Sequence, residues 1–169
     1  MSEDPSPAIP ELVVRRATRD DVEELAPFAR QAFRDAYRLL DDPQDIEDYV
    51  LRHFTPQSFG ALLDDELSTL LVASAAGQLT GYVHVARSAA PPCVSGPRPL
   101  ELARIYLCHD AVGRGYGAVL MNAVFAEARR RRCRTIWLGV YDRNVRARAF
   151  YARWGFVDVG TKRSEERRV

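Results

Sequence analysis

The sequence predicts a single α/β domain with a mixed β-sheet. Hydrophobic residues recur at helical spacing through the first third of the chain, and short strand-like runs follow. The 169 residues, 47% of them hydrophobic and 28% charged, are enough for one globular domain with a substantial core. We see neither an internal repeat nor a linker. We expect residues 1–11, which include three prolines, to form a flexible lead-in to a domain over residues 12–169.

The predicted elements are three helices after a first strand, then strands alternating with helices. They are a strand at 12–16, a helix at 19–37, short helices after Pro43 and Pro56, hairpin strands at 69–74 and 79–85, a strand at 100–109, a helix to about Arg131, a strand at 135–140, a helix at 144–153 and a last strand from 156–159. Thr18 and Asp21 form a capping-box pattern, and Gly77 is typical of a hairpin turn. Because residues 161–169 are few and highly charged, three alternatives stay open for the C-terminal strand: it is truncated, altered or completed by another subunit.

A glycine-rich turn separates the strand at 100–109 from the next helix. Its sequence is Val112-Gly113-Arg114-Gly115-Tyr116-Gly117. The first backbone N–H groups of a helix have no partner within the helix, and the helix dipole adds partial positive charge there. Glycines have no Cβ and let a phosphate approach that backbone closely. The turn therefore predicts a site for a phosphate-bearing ligand.

Two other interpretations of this turn stay open from the residues alone. Gly113, Gly115 and Ala118 match the dinucleotide-binding pattern G-x-G-x-x-G/A. That pattern normally opens the first strand–helix unit of a sheet, whereas about a hundred residues come first here. A glycine-rich loop without a ligand is the other interpretation.

A second group of polar residues lies on the last predicted helix. Asn144 and Tyr151 are seven residues apart, so they share a helical face and can line one cleft. Asn144 is also an N-cap candidate, and Tyr151 can be a core residue with its hydroxyl at the rim.

These two motifs together resemble the GNAT superfamily of acetyl-CoA-dependent N-acetyltransferases, over residues 12–160. The glycine turn is similar to the pyrophosphate-binding loop of that family. The residues similar to its second acetyl-CoA motif are Asn144, Ala147, Phe150, Tyr151, Trp154, Gly155 and Phe156. Segments 97–106 and 137–140 further resemble the bacterial branch that includes polyamine (spermine/spermidine) acetyltransferases. The resemblance implies a GNAT-like (acyl-CoA N-acyltransferase) fold, with a mixed, mostly antiparallel central sheet flanked by helices.

The resemblance also implies direct transfer of an acetyl group from acetyl-CoA to a primary amine. Tyr151 would protonate the leaving thiolate, since a phenol has a pKa of about 10 and a thiol one of about 8.5. Glu101 is the candidate base that removes the amine proton, and it is equally a candidate surface carboxylate. A backbone N–H near Leu107, at a bulge or splay of the strand, would stabilise the oxyanion. The candidate acetyl-CoA-binding residues are Leu107, His109, Val112, Gly113, Arg114, Gly115, Tyr116, Gly117, Asn144 and Tyr151.

The acceptor is predicted from acidic residues after the first long helix. Five carboxylates within positions 41–48 would attract a polyamine or another small cationic amine, and a solvated charged loop has the same composition. Tyr37, Tyr49 and His84 are candidates for the rim of that site.

Composition limits the other partners. A net charge of +1 indicates no general attraction to nucleic acid or to a membrane, and we expect neither. Three cysteines without metal-ligand spacing predict no metal site and fit a reducing cytoplasm. We expect a monomer or homodimer. Two alternatives stay open: a catalytically impaired acyl-CoA-binding homologue, suggested by Val112 and the charged tail, and a nucleic-acid-binding module, suggested by arginines within 129–134.

Overall fold

The computed structural model describes residues 7–161. Their elements are β1 (Leu12–Arg16), α1 (Val22–Tyr37), α2 (Pro43–His53), α3 (Pro56–Asp64), β2 (Ser68–Ala75), β3 (Gln78–Ala86), β4 (Pro99–Leu107), α4 (Tyr116–Arg130), β5 (Thr135–Trp137) and α5 (Val145–Arg153). Single 3-10 turns at Arg19–Asp21 and His109–Ala111 precede α1 and α4. Pro43 and Pro56 begin α2 and α3, at positions where a helix needs no backbone N–H.

The five strands form one sheet in the order β1-β2-β3-β4-β5. Strands β1 to β4 pair antiparallel, whereas β4 and β5 pair parallel. This arrangement confirms the mixed, mostly antiparallel sheet that the sequence predicts. Gly77 occupies the β2–β3 turn with a φ of +76°, a conformation that glycine adopts without strain.

Helices cover both faces of the sheet and divide its core in two. On one face, α4 packs Leu120, Met121 and Val124 against the strands. On the other face, α1, α2 and α3 surround Tyr82, which is fully buried. The apolar periodicity of the sequence therefore gives each face of the sheet its own hydrophobic layer.

A bulge interrupts the pairing of β4 with β3. The consecutive residues His84 and Val85 pair with Arg104 and Leu102, so Ala103 is the extra residue of the bulge. An inserted residue reverses the alternation of side chains beyond it.

The bulge lies at Ala103, and Leu107 pairs regularly with Gly81. Of the two alternatives given for Leu107, a bulge or a splay, the bulge is therefore wrong. Leu102, before the bulge, belongs to the core beneath α4. Arg104 and Tyr106, after it, project toward the opposite layer, where α1, α2 and α3 lie.

The ends of three predicted strands differ from the structure. β4 ends at Leu107, and His109 lies in the following 3-10 turn. β5 ends at Trp137 instead of residue 140, and within residues 7–161 no strand forms over 156–159. A strand forms only where a neighbour accepts and donates its hydrogen bonds. β5 is the edge strand of the described sheet, and residues 156–159 do not pair with it. Val157 and Val159 are consequently exposed. The charged tail, 162–169, lies outside the described residues.

Candidate active site

The glycine turn forms an open cradle at the start of α4. Gly113 and Gly115 have φ values of +86° and +83°, which other residues rarely adopt. A Cβ built on either residue would meet no atom within 4 Å, so open space lies in front of this backbone. Gly115 is the N-cap of α4 and supplies no side chain to its first N–H groups. The turn therefore fits a phosphate group held by backbone amides.

Two other residues of the turn, Tyr116 and Gly117, contribute to packing. Tyr116 is 5% exposed, and its hydroxyl donates a hydrogen bond to the Pro10 carbonyl at 2.6 Å. Its phenol therefore ties the segment before β1 to α4, and only its backbone N–H is suited to phosphate. A Cβ on Gly117 would come within 3.0 Å of the Phe150 ring, so this glycine permits close contact between α4 and α5. His109, Val112 and Arg114 are exposed beside the cradle.

A gap opens between β4 and β5 next to this cradle. The two strands pair only from Pro99 with Thr135 to Glu101 with Trp137. The N–H of Cys108 donates to the Thr80 carbonyl on the β3 side at 2.9 Å.

Because alternate residues of a strand direct their N–H groups to opposite edges, the amides of Ile105 and Leu107 face the gap. No strand in the described part of the chain covers that edge beyond Glu101. Two hydrogen-bond donors are thus available for a carbonyl oxygen, which supports the predicted function of the Leu107 amide.

A large cleft lies beside β5 and contains Tyr151. Its volume is about 1620 Å³, and it is lined by β5, by α5 and by the segments that follow each of them. Tyr37, at the end of α1, also lines this cleft. The Tyr151 ring packs edge-on against Phe150 and Phe156, with centroids 5.4 and 5.8 Å away.

Burial, together with the nearby Tyr37 phenol, raises the pKa of Tyr151 to about 12. Tyr151 is therefore a neutral hydrogen-bond donor throughout the physiological pH range. The same Tyr37 phenol also approaches Tyr106, whose pKa burial raises well above the ordinary value. Three phenols from α1, β4 and α5 are consequently brought together, and the sequence analysis named Tyr37 only as a rim candidate.

Asn144 and Glu101 lie apart from this cleft. Asn144 is the N-cap of α5, and its Oδ1 accepts a hydrogen bond from the Ala147 amide at 3.1 Å. Glu101 is half-buried on β4 and accepts a hydrogen bond from the Ser88 hydroxyl. Neither residue lines the cleft that contains Tyr151. Glu101 is four residues from Ile105, about 13 Å along an extended strand, so it can act on a group bound at that amide only through intervening water.

The arginines at the end of α4 are used within the fold. Arg130 and Arg131 both donate to the carboxylate of Glu127, at distances of 2.5 and 3.0 Å. Arg131 also donates to backbone carbonyls before β2, including that of Leu67 at 3.1 Å. Two cations of the run thus serve packing, which weakens the nucleic-acid interpretation. None of the helices in the described part of the chain has the length and apolar character of a membrane span.

Known proteins share this fold and these motifs. The acetyltransferase (GNAT) family model matches residues 25–156. An uncharacterized N-acetyltransferase of Mycobacterium tuberculosis is 32% identical over 142 residues, which cover 84% of this chain and 86% of that protein. The PaiA N-acetyltransferase of Thermoplasma acidophilum, solved in complex with coenzyme A, has a TM-score of 0.80 at 20% identity, covering 91% of this chain and 94% of that one. The aminoglycoside N-acetyltransferase AAC(6')-Iy, solved with a bisubstrate analog containing CoA, has a TM-score of 0.69 at 16% identity, covering 90% and 95%.

The fold and the cradle define an acyltransferase that uses coenzyme A thioesters. The chain belongs to the GNAT family of acetyltransferases, because the family model spans most of it and the mycobacterial relative covers most of both chains. It is accordingly an acetyl-CoA-dependent N-acetyltransferase. The two solved structures, below 25% identity, show the fold alone.

Proposed function

We propose that the protein transfers an acetyl group from acetyl-CoA to a small primary amine by direct attack. The observation that carries this proposal is the open backbone of Gly113 and Gly115 before the uncapped start of α4. Those amides would hold the diphosphate of acetyl-CoA. The gap between β4 and β5 would take the pantetheine arm, with the thioester carbonyl hydrogen-bonded by the Ile105 or Leu107 amide.

Tyr151 is the proposed acid for the leaving thiolate. Starting from the free amine, the nitrogen loses one proton and the sulfur gains one as the C–N bond forms and the C–S bond breaks; an ammonium substrate first gives up its extra proton through water to Glu101. With a Tyr151 pKa of about 12 and a thiol pKa of about 8.5, complete proton transfer to a free thiolate is uphill by ~5 kcal/mol. Proton donation during C–S cleavage is therefore favoured, with the phenolate recovering the proton that the attacking nitrogen releases. The neighbouring phenol of Tyr37 supports Tyr151 in that exchange.

Glu101 stays the proposed base, acting through water. It lies on the strand whose amides face the gap, and the Ser88 hydroxyl orients its carboxylate. Replacement by Gln would keep the shape and remove the basicity, so Glu101→Gln is expected to lower kcat most strongly near neutral pH, where the amine arrives protonated.

A polyamine or another small cationic amine is the proposed acceptor class. Its support is the acidic segment 41–48, which runs from the end of the α1–α2 connection into α2, although part of that segment is engaged locally. Asp42 caps α2 by accepting from the Gln44 amide, and Glu47 pairs with Arg34 at 2.7 Å. Asp45 and Asp48 are exposed and contribute the attraction to a cation.

We also propose a cytoplasmic location. Cys93, Cys108 and Cys133 are all free thiols, which fits a reducing compartment.

The test is release of coenzyme A thiol from acetyl-CoA in the presence of polyamines, amino acids and peptide N-termini. Tyr151→Phe should lower kcat by about 10²-fold or more, the usual scale of general acid catalysis, with a nearly unchanged Kd for acetyl-CoA. Tyr141→Phe is the matched control, because Tyr141 is a second phenol lining the same cleft. Equal rates for Tyr151→Phe and the wild type at saturating acceptor would remove Tyr151 from the mechanism. Acetyl-CoA binding without turnover of any amine would favour a catalytically impaired homologue.

A further inference from the structure

Three buried polar atoms without hydrogen-bond partners converge on the sheet face that α1, α2 and α3 cover. They are the Tyr82 hydroxyl, His84 Nδ1 and Arg104 Nη1, none of which makes a hydrogen bond of normal geometry with a described residue. The Arg104 guanidinium nevertheless lies close enough to the Tyr82 hydroxyl to oppose the rise that burial causes in the pKa of Tyr82. Tyr82 is fully buried and His84 is 8% exposed. His84 and Arg104 are direct partners across β3 and β4, and Tyr82 is two residues from His84 on the same face. Buried polar atoms are normally paired, so the unpaired donor of Arg104 indicates a missing acceptor.

The hydrogen bonds around His84 identify which nitrogen of its ring carries the proton. The Ser68 hydroxyl donates its proton to Asp65 Oδ2 at 2.9 Å, so it accepts from His84 Nε2 at 3.1 Å. The imidazole therefore carries its proton on Nε2 and a lone pair on Nδ1. Burial, helped by the adjacent Arg104, lowers the pKa of His84 to about 4, so the ring is neutral and Arg104 alone supplies charge.

Arg104 is a partly buried cation without an acidic partner. It lies over the rings of Phe54 and Phe59, with 4.7 and 5.8 Å from its guanidinium carbon to the ring centroids. No carboxylate in the described part of the chain lies within ion-pair distance of it. The one on the same strand, Glu101, is held by Ser88 instead. A guanidinium in such surroundings is stabilised by a carboxylate that fits its planar fork.

The cluster lies next to the atoms that would hold the thioester. Arg104 directly precedes Ile105, whose amide faces the gap between β4 and β5. Tyr106, two residues farther on the same face, approaches Tyr37, which lines the cleft with Tyr151. Arg104 and Tyr106 are both half-buried as whole residues, whereas the Nη1 atom of Arg104 is buried, so a ligand would meet the part of the Arg104 side chain that stays exposed. An acceptor whose amine reaches the thioester can extend along this face of β4 to the guanidinium.

We propose that Arg104 binds a carboxylate of the acceptor, so that the substrate is an amine that also carries a carboxylate, as an amino acid does. Phe54 and Phe59 hold the guanidinium in place. A polyamine has no group to pair with Arg104 and is repelled by it, so within the acceptor class proposed above this inference selects a small amine with a carboxylate over a polyamine. This inference rests on the proposed acetyl transfer and narrows its acceptor class.

The test compares amino acids with their decarboxylated amines, for example lysine with 1,5-diaminopentane, by coenzyme A release. Wild-type kcat/KM should favour the carboxylate-bearing member of a pair by about 10- to 100-fold, the scale of a charged hydrogen bond. R104M, which keeps the aliphatic volume, should bring that ratio close to one. R104K should retain part of it, since lysine keeps the charge without the fork.

Two further measurements separate this inference from the catalytic proposal. Calorimetry with acetyl-CoA establishes that R104M folds with an intact cradle, and R104K serves if R104M does not. Thermal shift with N-acetylated amino acids, which need no turnover, should stabilise the wild type and not R104M. Preference for decarboxylated amines, equal loss for both members of each pair, or absence of any stabilisation by carboxylate ligands would overturn the inference. Amine acetylation itself would then still stand or fall on the Tyr151 assay.

Discussion

A carboxylate placed at Gly115 should repel the diphosphate of acetyl-CoA, and Gly115→Asp compared with Gly115→Asn isolates that repulsion. Both side chains are nearly isosteric, and Asn and Asp tolerate the left-handed conformation at this φ of +83° better than other residues. No atom lies within 4 Å of a Cβ at this position, so steric cost is shared and small. Only the charge differs between the two variants.

The size of the effect follows from Coulomb's law. Two unit charges about 5 Å apart in water repel by about 0.8 kcal/mol, and a diphosphate offers two, so the total is ~1.6 kcal/mol. That energy weakens binding by about 15-fold, and an effective dielectric of about 40, between that of water and the value of about 20 near a protein surface, doubles it to ~3.3 kcal/mol, or about 250-fold. Screening should shrink it, since the Debye length falls from about 10 Å at 0.1 M salt to about 3 Å at 1 M.

The assay is calorimetric Kd for coenzyme A at low and high salt. Gly77 supplies the control, because its φ of +76° and open surroundings match those of Gly115 on a turn with no proposed ligand. The Asp and Asn variants at Gly77 should bind alike. Equal affinity of Gly115→Asp and Gly115→Asn at low salt would refute the placement of the diphosphate at this turn.

Three more changes test the fold and the site. Glu127→Gln should cost about 3–5 kcal/mol of unfolding free energy by urea denaturation, because it leaves Arg131, 10% exposed in its side chain, without its buried carboxylate. Between pH 6.5 and 4 the protein should lose up to ~3 kcal/mol of stability, since burial and Arg104 hold the pKa of His84 at about 4, below its unfolded value, and Asp65 opposes this only in part. Tyr37→Phe removes the phenol near Tyr151 and should lower kcat by about 2- to 10-fold, the scale of one polar interaction, with little change in the KM for acetyl-CoA.

Each of these has a contrary result. A loss below ~1 kcal/mol for Glu127→Gln would mean that water replaces the carboxylate around the arginines. The acid-induced loss should flatten in His84→Gln, and an unchanged slope would assign it to other groups. A Tyr37→Phe enzyme with altered KM and normal kcat would place Tyr37 in substrate binding instead of beside the proton donor.

Sequence patterns predicted most helices and turns because the interactions that form them join residues close together in the chain. The Thr18–Asp21 capping box is present, with the Thr18 amide donating to Asp21 Oδ2 at 2.7 Å. Strands were predicted less well at the end of the chain. Apolar β-branched residues around Val157 favour a strand, but strand formation depends on a pairing partner that the residues themselves do not specify. The bulge at Ala103 could not be predicted for the same reason, since its position depends on the register between β4 and β3.

The candidate site was predictable only where backbone conformation dictates residue type. Gly113 and Gly115 stand out in the sequence because their φ values exclude most side chains. Arg104 gave no such signal: a lone arginine in a strand is ordinary. Its interest arises from what surrounds it in space, and the partners His84 and Phe54 are 20 or more residues away in sequence.

Because β4 and β5 pair over only a short length, bound acetyl-CoA should contribute to the stability of the fold. Three residue pairs join β5 to the sheet, and no residue of α5 is fully buried. A ligand that contacts both strands would stabilise the attachment of β5 and α5 to the sheet, because it binds the folded state and not the state in which they have separated. Amide hydrogens in β5 and α5 should exchange faster than those of β2 and β3, and slow down once the donor is added. The resistance of this enzyme to heat and proteolysis should accordingly rise and fall with the cell's supply of acetyl groups.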